Sequence, residues 1–226
     1  KELILPPVCP VCLDRPRERG GLLCRACGSD LIPLPGPRCV RCGGTVDGWL
    51  ACCSGCLRGG PRPWRRAVTV FSFGGAVREL VHRFKYGGHT YLTPFLADGM
   101  YRCWLRYGSG LPDVVAPVPL HRRKASTRGY NQAELLAREV AGRLAIPFAD
   151  LLVRTRHTGQ QAVLGGRQRR ENVKDAFRRL PGASVSGRQI LLVDDVLTTG
   201  ATLTAAAEAI RFQTTAVVDV LTVARG

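Results

Sequence analysis

The stretch Asp194-Asp195-Val196-Leu197-Thr198-Thr199-Gly200-Ala201-Thr202 sets two adjacent carboxylates before a run of small, mostly hydroxylic residues. Ile190-Leu191-Leu192-Val193 precedes it, so a buried strand ends in two acids, then a loop, then a helix from Thr202 to Phe212. An α/β sheet presents ligand sites in this way, at the carboxyl ends of its strands. The loop Thr198, Thr199, Gly200, Ala201 and Thr202 can wrap a phosphate with backbone N–H groups and three hydroxyls. Gly200 permits close backbone approach, and the helix N-terminus behind it favours negative charge. Carboxylates beside a phosphate would be repelled by it. Asp194 and Asp195 must therefore face something else, and the vicinal hydroxyls of a ribose or a magnesium ion meet that need.

The pattern Asp-Asp-Val-x-Thr-Thr-Gly-x-Thr resembles the phosphoribosyl-pyrophosphate (PRPP) motif of type I phosphoribosyltransferases. That resemblance implies that Asp194 and Asp195 hold the ribose diol and that residues 198–202 hold the 5′-phosphate. The strongly basic segment from Pro117 to Gln132 resembles the pyrophosphate loop of the same enzymes. By that likeness Arg128, with Gly129 and Asn131, holds pyrophosphate oxygens, while Arg122, Arg123 and Lys124 supply positive field. His121 is either a general acid or a solvated loop residue. A third stretch, Thr155 to Lys174, is polar and rich in Gly and Arg. At this place the resembling enzymes carry a flexible loop that closes over the leaving group, with Arg167, Arg169 and Arg170 as candidates to cover pyrophosphate. Asp194, Asp195 and Arg128 are the expected catalytic residues, and Mg²⁺ is expected to accompany PRPP.

Nine of the ten cysteines lie between Cys9 and Cys56, eight of them as four C-x-x-C pairs separated by 11, 11 and 10 residues, with Cys52 beside the last pair. Pro and Gly are dense here and no helical or strand period is sustained, so side chains alone build no core. Paired thiolates suit tetrahedral zinc at roughly 2.3 Å, and four pairs can hold one or two structural ions. Disulfides are the rarer use of such pairs in a chain that otherwise reads as cytoplasmic. Sequential grouping gives Cys9, Cys12, Cys24 and Cys27, then Cys39, Cys42, Cys53 and Cys56. Interleaving remains open, and so does exchange of Cys52 for Cys53. The module is either purely structural or a docking knuckle, which Arg38, Arg41, Arg58 and Arg62 would suit. Cys103 reads as an ordinary core residue.

The elements that position these groups follow from periodicity. Residues 67–73 read as a strand, and Gly75 to Lys85 as a helix with Val77, Leu80, Val81 and Phe84 on one face. Thr93-Pro94 looks like a capped start of a helix that runs to Tyr107. Asp113–Val118 is a strand, Asn131 or Gln132 to Leu144 a helix, and Ala216–Val223 the closing strand. Strands alternating with helices imply a parallel sheet. The expectation is a type I phosphoribosyltransferase-like α/β parallel sheet flanked by helices over residues 65–226. Within it, 65–112 is hood-like and 113–226 the core, and a small double zinc-ribbon module occupies residues 1–64.

The chain has 226 residues, with 33 Lys plus Arg against 17 Asp plus Glu, a formal charge of +16. Hydrophobic residues make up 45% of it, enough for a packed core, and no apolar run nears the roughly 20 residues of a membrane helix. Arg supplies nearly all the excess, and its planar fork suits phosphates, so a polyanionic partner is expected. The order of C-x-x-C pairs, the Pro-Val-Pro-Leu…Arg-Gly-Tyr-Asn-Gln loop, the Arg-x-x-Asn-Val-x-x-Ala-Phe stretch and the Asp-Asp-Val-x-Thr-Thr-Gly loop together resemble the ComF-type family. Phe84-Lys85-Tyr86 fits that family's hood region. The family implies a cytoplasmic protein of natural transformation that handles incoming single-stranded DNA, with competence-machinery proteins as partners and no membrane insertion. Three readings stand at this point. One is an enzyme transferring phosphoribose from PRPP to an unnamed acceptor. Another is a binding scaffold that senses PRPP or DNA, with Trp49, Trp64 or Trp104 stacking on bases. The last is nucleobase salvage, for which no base-binding residues stand out.

Overall fold

In the computed structural model residues 8–15, 21–48, 50–155 and 176–226 are described. Ile190, Leu191, Leu192 and Val193 are all fully buried, and a strand apolar on both faces belongs in a parallel sheet covered on both sides. That strand sits inside a four-stranded, all-parallel sheet. Its strands are β1 (Arg66–Ser72), β2 (Val114–Pro117), β5 (Gln189–Leu197) and β6 (Val217–Arg225), in the order β1-β6-β5-β2. Leu191, Val193, Leu221 and Val223 point to one face. There they meet α3 (Gly75–Tyr86), α4 (Thr93–Tyr107) and α6 (Gln132–Leu144). Ile190, Leu192, Val218 and Val220 point to the other, which is covered by α7 (Ala201–Arg211). A two-stranded antiparallel pair, β3 (Leu152–Arg154) and β4 (Phe177–Arg179), adds Leu152 and Phe177 to that second core.

The cysteine-rich module, with its short helices α1 (Arg25–Ser29) and α2 (Ser54–Arg58), has no core of its own. It borrows both of the sheet's cores. Cys9, Val11, Leu23 and Cys24 join the α3/α4/α6 side, whereas Cys39, Cys42, Cys56 and Trp64 join the α7 side. The chain between the two lobes covers the free edge of β1. Leu34 N–H donates to the Val70 carbonyl at 2.9 Å, and Ala67 N–H to the Val40 carbonyl at 2.8 Å. An edge strand is thereby kept from pairing with other chains.

Several local readings change. Residues 122–128 of the basic loop form a helix, α5 (Arg122–Arg128), closed by Gly129 N–H on the Ala125 carbonyl at 2.8 Å. Thr93 lies within α4 rather than capping it, and its hydroxyl donates to the Thr90 carbonyl at 2.6 Å. The strand does not end at the two acids. It continues to Leu197, because Val196 and Leu197 pair with Ala224 and Arg225 of β6. The β3/β4 pair was not expected, since three-residue strands are too short to show a period. Arg167, Arg169, Arg170 and Trp49 lie outside the described residues. Among the described residues no helix is long and apolar enough to cross a membrane.

Gly43 shows how tightly the second lobe is seated. Its φ is +69°, and a Cβ there would lie 2.8 Å from both the backbone N and the Oγ1 of Thr69 on β1. Gly43→Ala is expected to lower stability by about 2–4 kcal/mol in thermal or urea unfolding, from left-handed strain plus overlap with backbone. Gly28→Ala, with open space around it, should change stability by less than about 1 kcal/mol.

Candidate functional site

The carboxyl ends of β1, β2 and β5 open into one cavity of about 1080 Å³. The loop 198–202 forms one wall, with Gly200 in a left-handed conformation (φ +79°) just before α7. Thr204 N–H donates to the Gly200 carbonyl at 2.7 Å and Ala201 N–H to Thr199 Oγ1 at 3.4 Å, so the helix starts at the loop. Lys85 of α3, Lys124 and Arg128 of α5, and Arg154 of β3 line the same cavity. Burial lowers the pKa of Lys124, and the charges of Arg154, Arg128 and Lys85 lower it further. Cations gathered closely enough to lower the affinity of Lys124 for its proton are arranged for an anion.

The two acids have different surroundings. Asp195 is 3% exposed and fully engaged. Its Oδ1 faces Lys85 Nζ at 2.8 Å, and its Oδ2 accepts from Gln132 Nε2 at 2.8 Å. Gln132 Oε1 in turn accepts from Arg128 Nη1 at 3.0 Å, and the Arg128 guanidinium stacks on the Tyr86 ring at 4.4 Å. Tyr130 donates its hydroxyl to the Phe84 carbonyl, tying the end of the basic segment to α3. Burial alone would lower Lys85, but Asp195 outweighs it and the ammonium keeps its proton. Asp194 is only partly buried, and its Oδ1 accepts its neighbour's N–H at 2.8 Å. Burial, with the charge of Asp195 added, pushes Asp194 up to about 7 against the pull of Lys85 and Arg154.

Of the residues singled out from sequence, Lys124, Arg128, Asp194, Asp195, Thr198, Thr199, Gly200, Ala201 and Thr202 come together around this cavity. Gly129 and Asn131 are not part of its lining. Asn131 caps α6 by accepting from Ala133 N–H at 3.1 Å, and its Nδ2 donates to the Val118 carbonyl at 3.2 Å. Lys85, Gln132 and Arg154 were not assigned to the site from sequence. Lys85 and Gln132 stood in segments already quoted, but their convergence on Asp195 is a property of packing. Arg154 sits on a strand too short to carry a signal. Trp64 and Trp104 are buried, with indole N–H groups donating to the Arg41 and Gly110 carbonyls, so neither offers a face to a base. Arg38 and Arg41 likewise serve the fold, donating to the Leu34 carbonyl and to the Cys56 and Gly60 carbonyls.

The thiols gather in two clusters, Cys9/Cys12/Cys24/Cys27 and Cys39/Cys42/Cys53/Cys56, with all sulfurs of each within 4.8 Å of one another. Cys12 and Cys24 are 3.9 Å apart and Cys42 and Cys53 3.8 Å apart, close to the edge of about 3.8 Å for a tetrahedron of sulfurs around zinc. Cys52 belongs to neither cluster. Burial would raise Cys9, but backbone N–H groups of Cys24, Cys12 and Val11 outweigh it and draw the thiol down to about 6. Cys39 is drawn to about 7 in the same way, by the Cys53, Arg41 and Cys42 backbone. Burial and the neighbouring thiols push Cys27 up to about 12 and raise Cys42 and Cys56, a crowding that a bound cation relieves, so the tetrahedral donor set fits structural zinc.

Residues 130–226 match the phosphoribosyl transferase domain, and residues 1–57 match the double zinc ribbon domain. Fold and site thus define a double zinc ribbon joined to a phosphoribosyltransferase-like domain. Competence protein F of Haemophilus influenzae is 32% identical over 187 residues, 80% of each chain. DNA utilization protein YhgH of Escherichia coli K12 is 34% identical over 171 residues, 73% of this chain and 74% of that one. Competence protein ComFC of Bacillus subtilis is 26% identical over 84% of this chain and 77% of its own. The chain belongs to this ComF-type family. Metal analysis is expected to return two zinc ions per chain. Cys52→Ala should keep both and Cys53→Ala should lose one, measured by elemental analysis of the purified variants.

Proposed function

We propose that this protein binds PRPP with Mg²⁺ and works on or alongside single-stranded DNA in the uptake or use of DNA. The observation that carries the reading is the convergence of the 198–202 loop, the acid pair and five cations, Arg78, Lys85, Lys124, Arg128 and Arg154, on one cavity. The 5′-phosphate would sit on the loop, where backbone N–H groups, hydroxyls and the start of α7 all favour negative charge. Asp194, the carboxylate with oxygen to spare, would take the ribose hydroxyls. Asp195 would instead hold Lys85 and, through Gln132, aim Arg128. Lys124 and Arg128 would meet the pyrophosphate, with Arg169 a further candidate from outside the described residues. Mg²⁺, bound to the pyrophosphate oxygens, would neutralise charge on the leaving group. Displacement at the ribose anomeric carbon passes through an oxocarbenium-like state, so the chain's contribution is positioning and electrostatics. The +16 charge and the names of the relatives, competence and DNA utilization proteins, support the DNA half of the reading.

Asp194 gives a test with two opposite signs. A carboxyl raised on folding holds its proton more tightly when folded, so ligand-free stability falls as pH climbs from the ordinary carboxylate range through about 7. Asp194→Asn is therefore expected to raise the ligand-free Tm at pH 8 and to abolish the Tm increase given by PRPP with Mg²⁺. A variant that keeps the ligand-induced increase refutes the assignment of the ribose site. Pyrophosphate release from PRPP, measured with and without single-stranded DNA, separates transfer from binding alone. A stimulation by DNA is the expected result. DNA affinity itself should fall at least about tenfold between 50 and 200 mM salt, as neutralised phosphates release counterions.

A further inference from the structure

The second zinc lobe reaches the phosphate loop from behind. A Cβ on Gly200 would lie 2.9 Å from Arg62 Nη1 and 3.3 Å from Trp64 Cη2, so a guanidinium and an indole edge rest directly on the left-handed residue that shapes the loop. Neither side chain lines the cavity. Trp64 donates its indole N–H to the Arg41 carbonyl at 2.9 Å, and Arg41 stands between two members of the cluster, Cys39 and Cys42. The Arg41 guanidinium donates to the Cys56 carbonyl at 2.7 Å and to the Gly60 carbonyl at 3.1 Å, binding the two halves of the lobe together. Trp64 and Ala201, the first residue of α7, share one buried core with Cys39, Cys42 and Cys56. Arg62 lies 5.5 Å from the Trp64 ring, and among the described residues no protein acceptor takes its N–H groups. Its guanidinium lies against Gly200 without belonging to the cavity lining.

We propose that the second four-cysteine lobe is a working part of the phosphate site, with Trp64 and Arg62 as positioning residues that hold the 198–202 loop in its anion-binding shape. This rests on the reading of that loop as a phosphate cradle. A loop whose backbone N–H groups must converge loses affinity if its left-handed residue can relax. Arg62 and Trp64 deny it that room, and Arg62 adds positive field where an anion would bind. Coupling between two sites is reciprocal, so ligand on the loop must tighten the lobe as much as the lobe tightens the loop.

The experiment uses the zinc-loaded full chain, with ribose 5-phosphate and pyrophosphate as separate probes. Titration calorimetry gives their affinities, and a chromogenic chelator follows zinc release. Saturating ribose 5-phosphate should slow release of one of the two zinc ions several-fold and leave the other unchanged. Arg62→Ala should weaken ribose 5-phosphate by about 5–10-fold, leave pyrophosphate affinity unchanged and remove the protection of zinc. Trp64→Phe keeps an aromatic ring but loses both the bond to Arg41 and the Cη2 edge that lies against Gly200, and it too should lose the protection. Equal zinc release with and without ribose 5-phosphate, or an Arg62→Ala variant that binds it like the parent, overturns the coupling while leaving the pocket intact. A parent protein that binds neither ribose 5-phosphate nor PRPP overturns the pocket and the coupling together.

Discussion

A carboxylate buried near the carboxyl end of a parallel strand cannot stand alone, and Asp195 organises its surroundings for that reason. Removing one partner of such a buried pair typically costs several kcal/mol, because the remaining charge has lost its water. Asp195 is therefore met on both oxygens, by Lys85 from α3 and by Gln132 from the start of α6. Those two partners fix where their helices can sit against β5. Gln132 carries the constraint onward to Arg128, which closes on Tyr86 of α3. Lys85 and Arg128 are thus held at the cavity by a single ionic node, and the loop of small residues, Asp194, Arg78, Lys124 and Arg154 line the same space.

The cysteine module solves a different problem. It has too few apolar residues for a core, and two thiol clusters replace the missing one. Its lobes then lie on opposite faces of the sheet, each filling part of a core that the helices leave open. The segment between them lies along the free edge of β1 and satisfies groups that would otherwise invite another strand. The module is consequently continuous with the domain it precedes, which is how its second lobe comes to touch Gly200.

The large positive charge divides into distinct uses. Arg65 with Asp219 and Arg143 with Asp98 are ion pairs that hold elements together, whereas Arg138 with Glu134 and Arg143 with Glu139 pair within α6. Arg38, Arg41 and Arg179 donate to backbone carbonyls. Arg78, Lys85, Lys124, Arg128 and Arg154 line the cavity. What remains on the exterior is the portion available to a polyanion such as DNA.

The parallel sheet, the placement of most helices and the acid–threonine loop were legible in the sequence. They rest on local patterns, namely four apolar residues before two acids, one helical face on α3, and pairs of cysteines at a fixed interval. The sequential grouping of thiols was legible as well, whereas the choice of Cys53 over Cys52 needed geometry, because adjacent residues on a turn direct their sulfurs apart. Lys85, Gln132 and Arg154 came from separate elements with no shared motif, and only the folded chain brings them to the acid pair. Asn131 caps α6 and lies outside the cavity lining, because a short amide next to a helix start finds a backbone N–H close by. Sequence alone determined which chemistry the chain carries, since residue type and local spacing fix donors, acceptors and charges. Tertiary structure decided which of them act together, since burial and long-range packing set which charges are paired, which are open to a ligand, and which merely hold the fold.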